Sequence, residues 1–194
     1  MNTISIDQVL NLYLTFGPSD YIGENISQIE HMSQVAELAM AQGYDDEVVL
    51  AAFFHDIGNL CASKLSNDGN SGLGIENHEK VGANYLRALG FPERIAALVE
   101  HHVDAKRYLC YRRPEYFQKL SEASRKTLVL QGGVMNEEEA LAFEKSPLAA
   151  VMIKMREWDD QAKMENVPLL DFQLMKEKML SVLRKRQKFV TFFQ

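Results

Sequence analysis

Apolar side chains recur along this chain every three or four positions, whereas the alternation typical of half-buried strands is almost absent. This pattern predicts an all-α protein. The segment Val48–Ile57 is apolar nearly all round, so we expect it to lie in the core. The predicted helices run from Ser5 to Phe16, from about Ser27 to Gly43, from Val48 to Ile57, from about Asn77 to Leu89, from Pro92, from Asn136, from Ser146, and from about Asp171 to Lys188.

Several helix ends are marked by capping residues and glycines. Ser5 with Gln8 and Asn136 with Glu139 each have the spacing of a capping box. Ser146-Pro147 is typical of a cap followed by proline at the first helical position. Gly58 is predicted to end the apolar third helix.

The stretch Ser63–Asn77 is rich in Ser, Asn, Asp and Gly, which predicts a loop and the best candidate for a mobile lid. The chain contains no internal repeat, low-complexity tract or convincing linker. Its 194 residues, 46% of them hydrophobic, are enough for one sizeable core. We therefore expect a single domain over residues 1–194.

Composition narrows the functional classes. The net charge of −6 argues against broad attraction to nucleic acid. The two cysteines, Cys61 and Cys110, have neither metal-knuckle nor secreted-framework spacing and fit free thiols in a reducing cytoplasm. No apolar stretch is long enough to cross a bilayer, and no signal peptide is evident. The expected setting is cytoplasmic, with a small-molecule partner, no nucleic acid, no membrane, and a monomer or small homo-oligomer.

The candidate chemistry is concentrated in the histidines, and His55-Asp56 end a buried-looking helix. A carboxylate in apolar surroundings needs a partner, because an unpaired buried charge is strongly disfavoured. A metal ion is one such partner, and imidazole with carboxylate suits iron, manganese or zinc. An Asp that caps a helix beside a buried His is the competing interpretation, and for the pair alone it is the favoured one.

Helix faces bring further ligand candidates toward the core. His102 and Lys106 share a stripe with Ile95 and Val99, so both are predicted to point inward, and the adjacent His101 to point aside. Asp159 stands on an otherwise apolar face. Six donors on five helices are therefore predicted to converge on a metal site: His31, His55, Asp56, His78, His102 and Asp159.

This ordered set resembles the HD superfamily of metal-dependent hydrolases and oxygenases. The two histidines between the His-Asp pair and the last Asp resemble its binuclear subset, which implies an HD-domain helical bundle with a central binuclear metal site. By this analogy Asp56 bridges the ions, with His31, His55 and Asp159 at one ion and His78 and His102 at the other.

A closer resemblance extends over most of the chain. The matching segments include Tyr21 to Glu24, His78 to Ala83, Ala105 to Leu109, Ser124 to Leu128, Gln131 to Gly133, and Arg156 to Asp159. Together they resemble the 2-amino-1-hydroxyethylphosphonate dioxygenases, mixed-valent diiron enzymes that break a carbon–phosphorus bond, and their relatives acting on the N-trimethylated substrate. The resemblance implies two iron ions, Fe(II)/Fe(III), with O2 as co-substrate.

The same resemblance implies roles in substrate binding. Lys106 would be an electrostatic clamp on the phosphonate dianion. Ser124 and Gln131 would add hydrogen bonds, although a polar loop or helix end explains each equally well. Arg156 would lie near the substrate or an iron ligand, or else be a surface arginine one turn before Asp159.

At the other end of the substrate, Tyr21 and Glu24 resemble the family's gate. The tyrosine would occupy an iron position until substrate arrives, and the acid would recognise the substrate nitrogen; a packed aromatic and a helix-start acid are the alternative interpretation. Asn59 stands where amino-substrate enzymes tend to carry a histidine, which weakens transfer of a phosphonate-contact role to it. The amino and trimethylammonio substrates remain equally favoured.

Three functional classes are open at this point. An oxygenase is favoured, with Tyr21, Glu24 and Lys106 as its catalytic residues. An HD phosphohydrolase, in which metal-activated water attacks a nucleotide or other phosphate ester, would use the same ligands. A catalytically idle HD regulatory domain is disfavoured, because no ligand position is lost.

Overall fold

The fold is known from a computed structural model, which describes residues 2–21, 23–66 and 77–192. Within those ranges the regular structure is helical, apart from one isolated antiparallel bridge between Asp20 and Ser27. The all-helical prediction is confirmed. The helices are α1 (Asn2–Phe16), α2 (Gln28–Ala41), α3 (Asp46–Phe54), α4 (Ile57–Ser66), α5 (His78–Ala88), α6 (Glu93–Glu100), α7 (His102–Arg112), α8 (Pro114–Lys119), α9 (Glu122–Leu130), α10 (Glu137–Glu144), α11 (Ala149–Gln161) and α12 (Phe172–Phe192).

The capping predictions had mixed outcomes. The box of Asn136 and Glu139 is confirmed at the start of α10. Ser5 is not a cap, because α1 begins at Asn2 and Ser5 lies inside it, one residue before the buried Ile6. Ser146-Pro147 does not open α11 either. The Ser146 hydroxyl accepts a hydrogen bond from the Leu148 amide, and the helix begins two residues after the proline.

Gly58 does not end a helix, which corrects the sequence prediction. The apolar helix α3 ends at Phe54, and Gly58 lies within the first turn of α4. A Cβ atom at this position would overlap the carbonyl oxygen of His78. The glycine is therefore needed for the close approach of α4 to the beginning of α5, and not for a left-handed turn.

The predicted polar loop begins later than expected, because residues 63–66 belong to α4. Most of the predicted lid, residues 67–76, lies outside the described residues. Asn77, with φ of 63°, directly precedes α5 in the left-handed region.

The helix predicted from Pro92 is two helices, α6 and α7, with a break at His101. His101 ends α6 by donating its amide to the Ala97 carbonyl, and its own carbonyl accepts from the Asp104 amide as α7 begins. The prediction of one continuous stripe was wrong. Its members nevertheless all lie buried: Ile95, Val99, His102 and Lys106.

The core positions the chemistry-bearing residues. Helix α2 packs against α3 and α11, α5 packs against α4 and α6, and α7 packs against α11. Large buried side chains such as Phe53, Phe54 and Trp158 fill the space between these helices. None of the helices in the described part of the chain is both long and apolar enough to cross a membrane.

Candidate metal centre and adjoining cavity

Five structural elements bring the six predicted ligands to one point in the bundle. Helices α2, α5, α7 and α11 each contribute one residue, and the junction between α3 and α4 contributes the adjacent His55 and Asp56. All six side chains are buried. We call this set the metal-binding cluster: His31, His55, Asp56, His78, His102 and Asp159.

One half of the cluster surrounds the Oδ2 atom of Asp56. The Nε2 atom of His55 lies 3.4 Å from Oδ2, and that of His31 lies 4.0 Å from it. The two Nε2 atoms are 3.1 Å apart. The Oδ1 atom of Asp159 joins them at 3.3 Å from His31 Nε2.

The other half surrounds the second oxygen of the same carboxylate. Asp56 Oδ1 lies 3.1 Å from His78 Nε2 and 3.6 Å from His102 Nε2. These two nitrogens are 3.3 Å apart. The ligand atoms of His31, His55 and Asp56 lie within 4.8 Å of one another, as do those of Asp56, His78 and His102, so Asp56 belongs to both halves.

This donor set fits two metal ions. Imidazole nitrogen with carboxylate oxygen suits Fe, Mn or Zn, and a carboxylate with one oxygen in each half is placed to bridge two ions. The described cysteines, Cys61 and Cys110, are free and buried and belong to neither half.

Backbone carbonyl groups orient three of the four histidine rings. The Nδ1 atom of His31 lies 2.8 Å from the Ala162 carbonyl, that of His55 lies 2.9 Å from Ala52, and that of His102 lies 2.7 Å from Val99. A carbonyl can only accept, so Nδ1 of these rings carries the proton. Each Nε2 is thereby aimed into the cluster, which is the usual arrangement around a bound metal.

The electrostatics of the cluster call for positive charge. Burial would raise the pKa of Asp56, but the charge of His55 and its hydrogen bond, followed by those of His78, hold that pKa well below its usual range. Burial would lower the pKa of His55, yet Asp56 raises it to about 9. Burial and the neighbouring His78 lower the pKa of His102 to about 3. Positive charge on neighbouring histidines therefore stabilises the carboxylate of Asp56, and bound metal cations would do the same.

Arg156 is buried and fixes the last ligand, so its surface interpretation is wrong. Its Nη1 donates to the Oδ2 atom of Asp159 over 2.6 Å, which leaves Oδ1 for His31. The rest of the guanidinium donates to Asp160 and, over 2.8 Å, to the Tyr116 hydroxyl. Arg156 therefore orients Asp159 while its own charge is largely offset by two carboxylates.

A cavity of about 500 Å³ opens beside the cluster. Asp56, His78, His102 and Asp159 reach it, so its floor is the metal-binding cluster. The sequence-predicted substrate residues also line it: Tyr21, Glu24, Asn59, Lys106, Ser124, Gln131 and Arg156. Their roles toward a substrate stay predictions.

Lys106 is a buried cation of this cavity that pairs with no carboxylate among the ion pairs of the described residues. Its ammonium group donates to the Thr127 hydroxyl over 3.0 Å. Burial, and then the nearby charge of Arg156, lower the pKa of Lys106 to about 8. An anionic ligand would stabilise the ammonium form of this lysine, because its negative charge offsets the cost of burying the positive charge.

Tyr21 lies against the cluster. Its ring stacks on His31 at 3.9 Å between centroids, and its hydroxyl lies 3.5 Å from Asp159 Oδ1. Glu24, in the turn between α1 and α2, forms an ion pair with Lys163. We call eight of the cavity residues outside the metal-binding cluster the substrate wall: Tyr21, Glu24, Asn59, Lys106, Ser124, Thr127, Gln131 and Lys163.

Sequence reasoning missed three residues of the site. Thr127 and Lys163 are contact partners of predicted residues, and the buried Glu79 lies 3.6 Å from His78 Nδ1. Glu79 adjoins a predicted ligand, which was an available signal. Lys163 follows the end of α11, so no helical spacing points to it. As predicted, His101 does not join the metal-binding cluster: it lines the exposed part of the cavity, with Nδ1 2.8 Å from Asp104.

Fold and site together define a class: an all-helical protein with a buried His/Asp cluster arranged for two metal ions. The HD domain family model matches residues 29–141, and the chain belongs to the HD domain family. That match contains five of the six cluster residues; Asp159 lies beyond it.

Three relatives cover most of the chain. An uncharacterized protein of Acanthamoeba polyphaga mimivirus is 44% identical over 87% of this chain and 78% of its own length. The [1-hydroxy-2-(trimethylamino)ethyl]phosphonate dioxygenase (glycine-betaine-forming) of Leisingera caerulea is 39% identical over 80% of this chain and 79% of its own. The hydroxymethylphosphonate dioxygenase of Gimesia maris is 34% identical over 87% of this chain and 83% of its own. Relatives of moderate identity are thus named as phosphonate dioxygenases.

Proposed function

We propose that this protein is a diiron oxygenase that cleaves the carbon–phosphorus bond of a 1-hydroxyphosphonate with O2. The observation that carries the proposal is the position of Lys106. This buried ammonium faces the same cavity as both halves of the metal-binding cluster, where it can neutralise a phosphonate whose carbon lies against the metals. The two phosphonate dioxygenases among the relatives support this choice of chemistry.

The substrate we propose is (R)-1-hydroxy-2-aminoethylphosphonate or its N-trimethylammonio analogue. The products are phosphate and glycine or glycine betaine. The reaction balances with one O2: the C1–H and C–P bonds break, one oxygen atom enters the carboxylate, the other enters phosphate, and one proton is released. A cytoplasmic setting for organophosphonate catabolism belongs to the same proposal.

The metal-binding cluster would hold the irons, with His31, His55 and Asp159 at one ion, His78 and His102 at the other, and Asp56 shared. When bound, an Fe(II)/Fe(III) pair supplies O2 activation and Lewis acidity.

The chain's own groups bind and orient the substrate. Lys106 would hold the phosphonate, and the Ser124 hydroxyl and Gln131 amide would add hydrogen bonds to its oxygens. Glu24 would face the substrate nitrogen at the other end. Tyr21, stacked on His31, covers the cluster before substrate enters and limits the access of water.

The test is direct. Iron-loaded protein is mixed anaerobically with each phosphonate, exposed to O2, and assayed for phosphate together with glycine or glycine betaine. We expect oxygen-dependent phosphate matched one to one by the organic product. Hydroxymethylphosphonate, the substrate named for the Gimesia maris relative, is a third arm that carries no nitrogen.

A different outcome would replace the proposal. If none of the phosphonates releases phosphate, but a nucleoside monophosphate is hydrolysed with metal and without O2, the protein is an HD phosphohydrolase. Protein carrying Asp56→Asn serves as the control in either assay, because it removes the shared ligand.

A further inference from the structure

Glu24 and Lys163 form an ion pair on the wall of the cavity. The carboxylate and the ammonium are in direct contact, and both side chains are about four-fifths shielded from solvent. Lys163 also lies 3.4 Å from the Ser121 hydroxyl. Both partners line the cavity, so their pairing changes the charge that a ligand meets there.

The segments carrying the two residues are fixed by hydrogen bonds. Gln34 of α2 accepts from the Met164 amide over 3.0 Å and donates to the Met164 carbonyl over 2.9 Å. On the other side, the Tyr21 and Glu24 amides donate within the turn that precedes α2, to Ile26 and Tyr21 respectively. These hydrogen bonds fix the two backbone segments next to α2 and so keep Lys163 close to Glu24.

The pair leaves no net negative charge at the place proposed for a substrate cation. Glu24 carries one negative charge, and the ammonium of Lys163 already neutralises it. Four other cations line the cavity, Lys80, Lys106, Arg107 and Arg156, together with five other carboxylates, two of which belong to the metal-binding cluster. Glu24 is the carboxylate proposed to meet the substrate cation, and its charge is the one that Lys163 offsets. A substrate ammonium must displace Lys163 or share one carboxylate with it, and either arrangement costs binding free energy.

We propose that Lys163 is a specificity-determining residue: its ammonium competes with a substrate cation for Glu24 and so reduces the advantage that phosphonates with a cationic tail have over those without one. This inference rests on the proposed function, since it concerns the tail of the same substrate. The trimethylammonio and amino substrates must compete with Lys163 for Glu24. Hydroxymethylphosphonate carries no cation and need not compete.

The experiment measures binding and not turnover. The full iron-loaded chain and its Lys163→Met variant are titrated anaerobically by calorimetry with the trimethylammonio, amino and hydroxymethyl phosphonates. The quantity compared is the ratio of the dissociation constant for hydroxymethylphosphonate to that for each cationic phosphonate. We expect this ratio to rise about tenfold in Lys163→Met, because Glu24 is then free to attract the cation.

Three further variants separate charge competition from a structural role. Lys163→Arg should keep the wild-type ratio. Lys163→Met should have no effect on the ratio in a Glu24→Gln background. Lys178→Met is the matched control, since Lys178 is similarly shielded and pairs with Asp46 away from the cavity. Thermal unfolding curves verify that each variant is folded.

Some outcomes would overturn the inference. If Lys163→Met weakens all three phosphonates equally, Lys163 is part of the phosphonate clamp. An unchanged ratio, or no binding of any phosphonate by either protein, also rejects it. Failure of the proposed function would look different. The phosphonates would bind and the ratio would respond to Lys163→Met, but no phosphate would be released after O2 is admitted.

Discussion

The metal-binding cluster and the substrate wall differ in what holds their side chains. In the cluster, the rings of His31, His55 and His102 are fixed by backbone carbonyl groups, and every member is buried among core helices. In the wall, Lys106 and Glu24 are held by other side chains, Thr127 and Lys163. Core packing therefore fixes the ligands, whereas the wall can change without disturbing them.

The family match divides the two regions in a related way. Residues 29–141 contain most of the cluster, and they also contain Lys106, Ser124 and Gln131 of the wall. Tyr21, Glu24 and Lys163 lie outside. The residues proposed to meet the phosphonate thus come from the shared domain, and those proposed to meet the substrate's tail come from flanking segments. Differences in tail specificity are expected to arise in the flanking segments.

The largest effect should come from the residue that both halves of the cluster share. Asp56→Asn keeps the shape of the side chain but removes its charge, so we expect the bound iron to fall from two ions per chain to one or none and phosphate release to fall at least about a hundredfold. Metal analysis and the phosphate assay measure these two quantities.

Asp104→Asn is the matched control, because Asp104 is a carboxylate near the cavity mouth that pairs with the exposed His101. It should keep both ions. Retention of both ions by Asp56→Asn would show that the carboxylate is not their shared ligand.

Replacing Lys106, a cation of the substrate wall, should affect substrate binding and leave metal binding intact. Lys106→Met is expected to keep two ions per chain but to weaken phosphonate binding about a hundredfold, because the dianion loses its charged partner in a partly desolvated cavity. Lys106→Arg should recover part of that loss. Anaerobic calorimetry on iron-loaded protein measures it. A loss of iron in Lys106→Met would contradict the division between cluster and wall.

The same lysine gives the wall a pH dependence. Burial lowers the pKa of Lys106 to about 8, so the ammonium form is complete well below that pH and is lost as the pH rises through it. Bound metal cations would lower the pKa of Lys106 further, so we expect the loss of its charge at or below a pH of about 8. Phosphonate affinity should fall as the pH rises through this range. Lys106→Met should show no such fall, and an equal fall in both proteins would assign it to another group.

A smaller effect should follow from the contact that places His78. Gly58→Ala would drive a methyl group against the His78 carbonyl, so we expect a loss of about 2 kcal/mol in unfolding free energy and weaker metal binding in the half formed by His78 and His102. Gly43→Ala is the control: its φ of 75° is strained for alanine, but there is open space around it. That variant should lose about 1 kcal/mol without losing metal. Equal metal binding in both variants would reject the role of Gly58.

Gly58 also illustrates where the sequence could be interpreted and where it could not. A glycine after an apolar run is typical of a helix end, and only the three-dimensional approach of α5 reveals the steric reason for this one. The break at His101 is similar, because no proline or glycine marks it. The all-helical class was predictable because helical periodicity is a local property of the sequence.

In the site, too, the residues that could be predicted are those placed by local helical periodicity. Asp159 was predictable as an inward-facing polar residue because it shares a helix face with the buried Met152 and Met155. The stripe that pointed to His102 crosses the break between α6 and α7, although its members are all buried. The pairing of Glu24 with Lys163 joins residues 139 positions apart in irregular segments, so no periodicity could predict it. The same holds for Thr127 as the partner of Lys106, since their contact depends on how α9 lies against α7.

The smallest effect is expected at Asn59, one turn after Asp56 in α4. Its Oδ1 atom is buried, and among the described residues it has no hydrogen-bond partner, although the side chain lines the cavity. A ligand hydroxyl or an ordered water is the natural donor to such an atom, because a buried acceptor left unpaired is costly. We expect Asn59→Ala to weaken phosphonate binding about fivefold without changing metal content, and Asn84→Ala on the exposed face of α5 to leave binding unchanged. A twofold or smaller change in Asn59→Ala would show that the wall binds substrate through its charged groups alone, whereas a loss of iron would place Asn59 with the cluster.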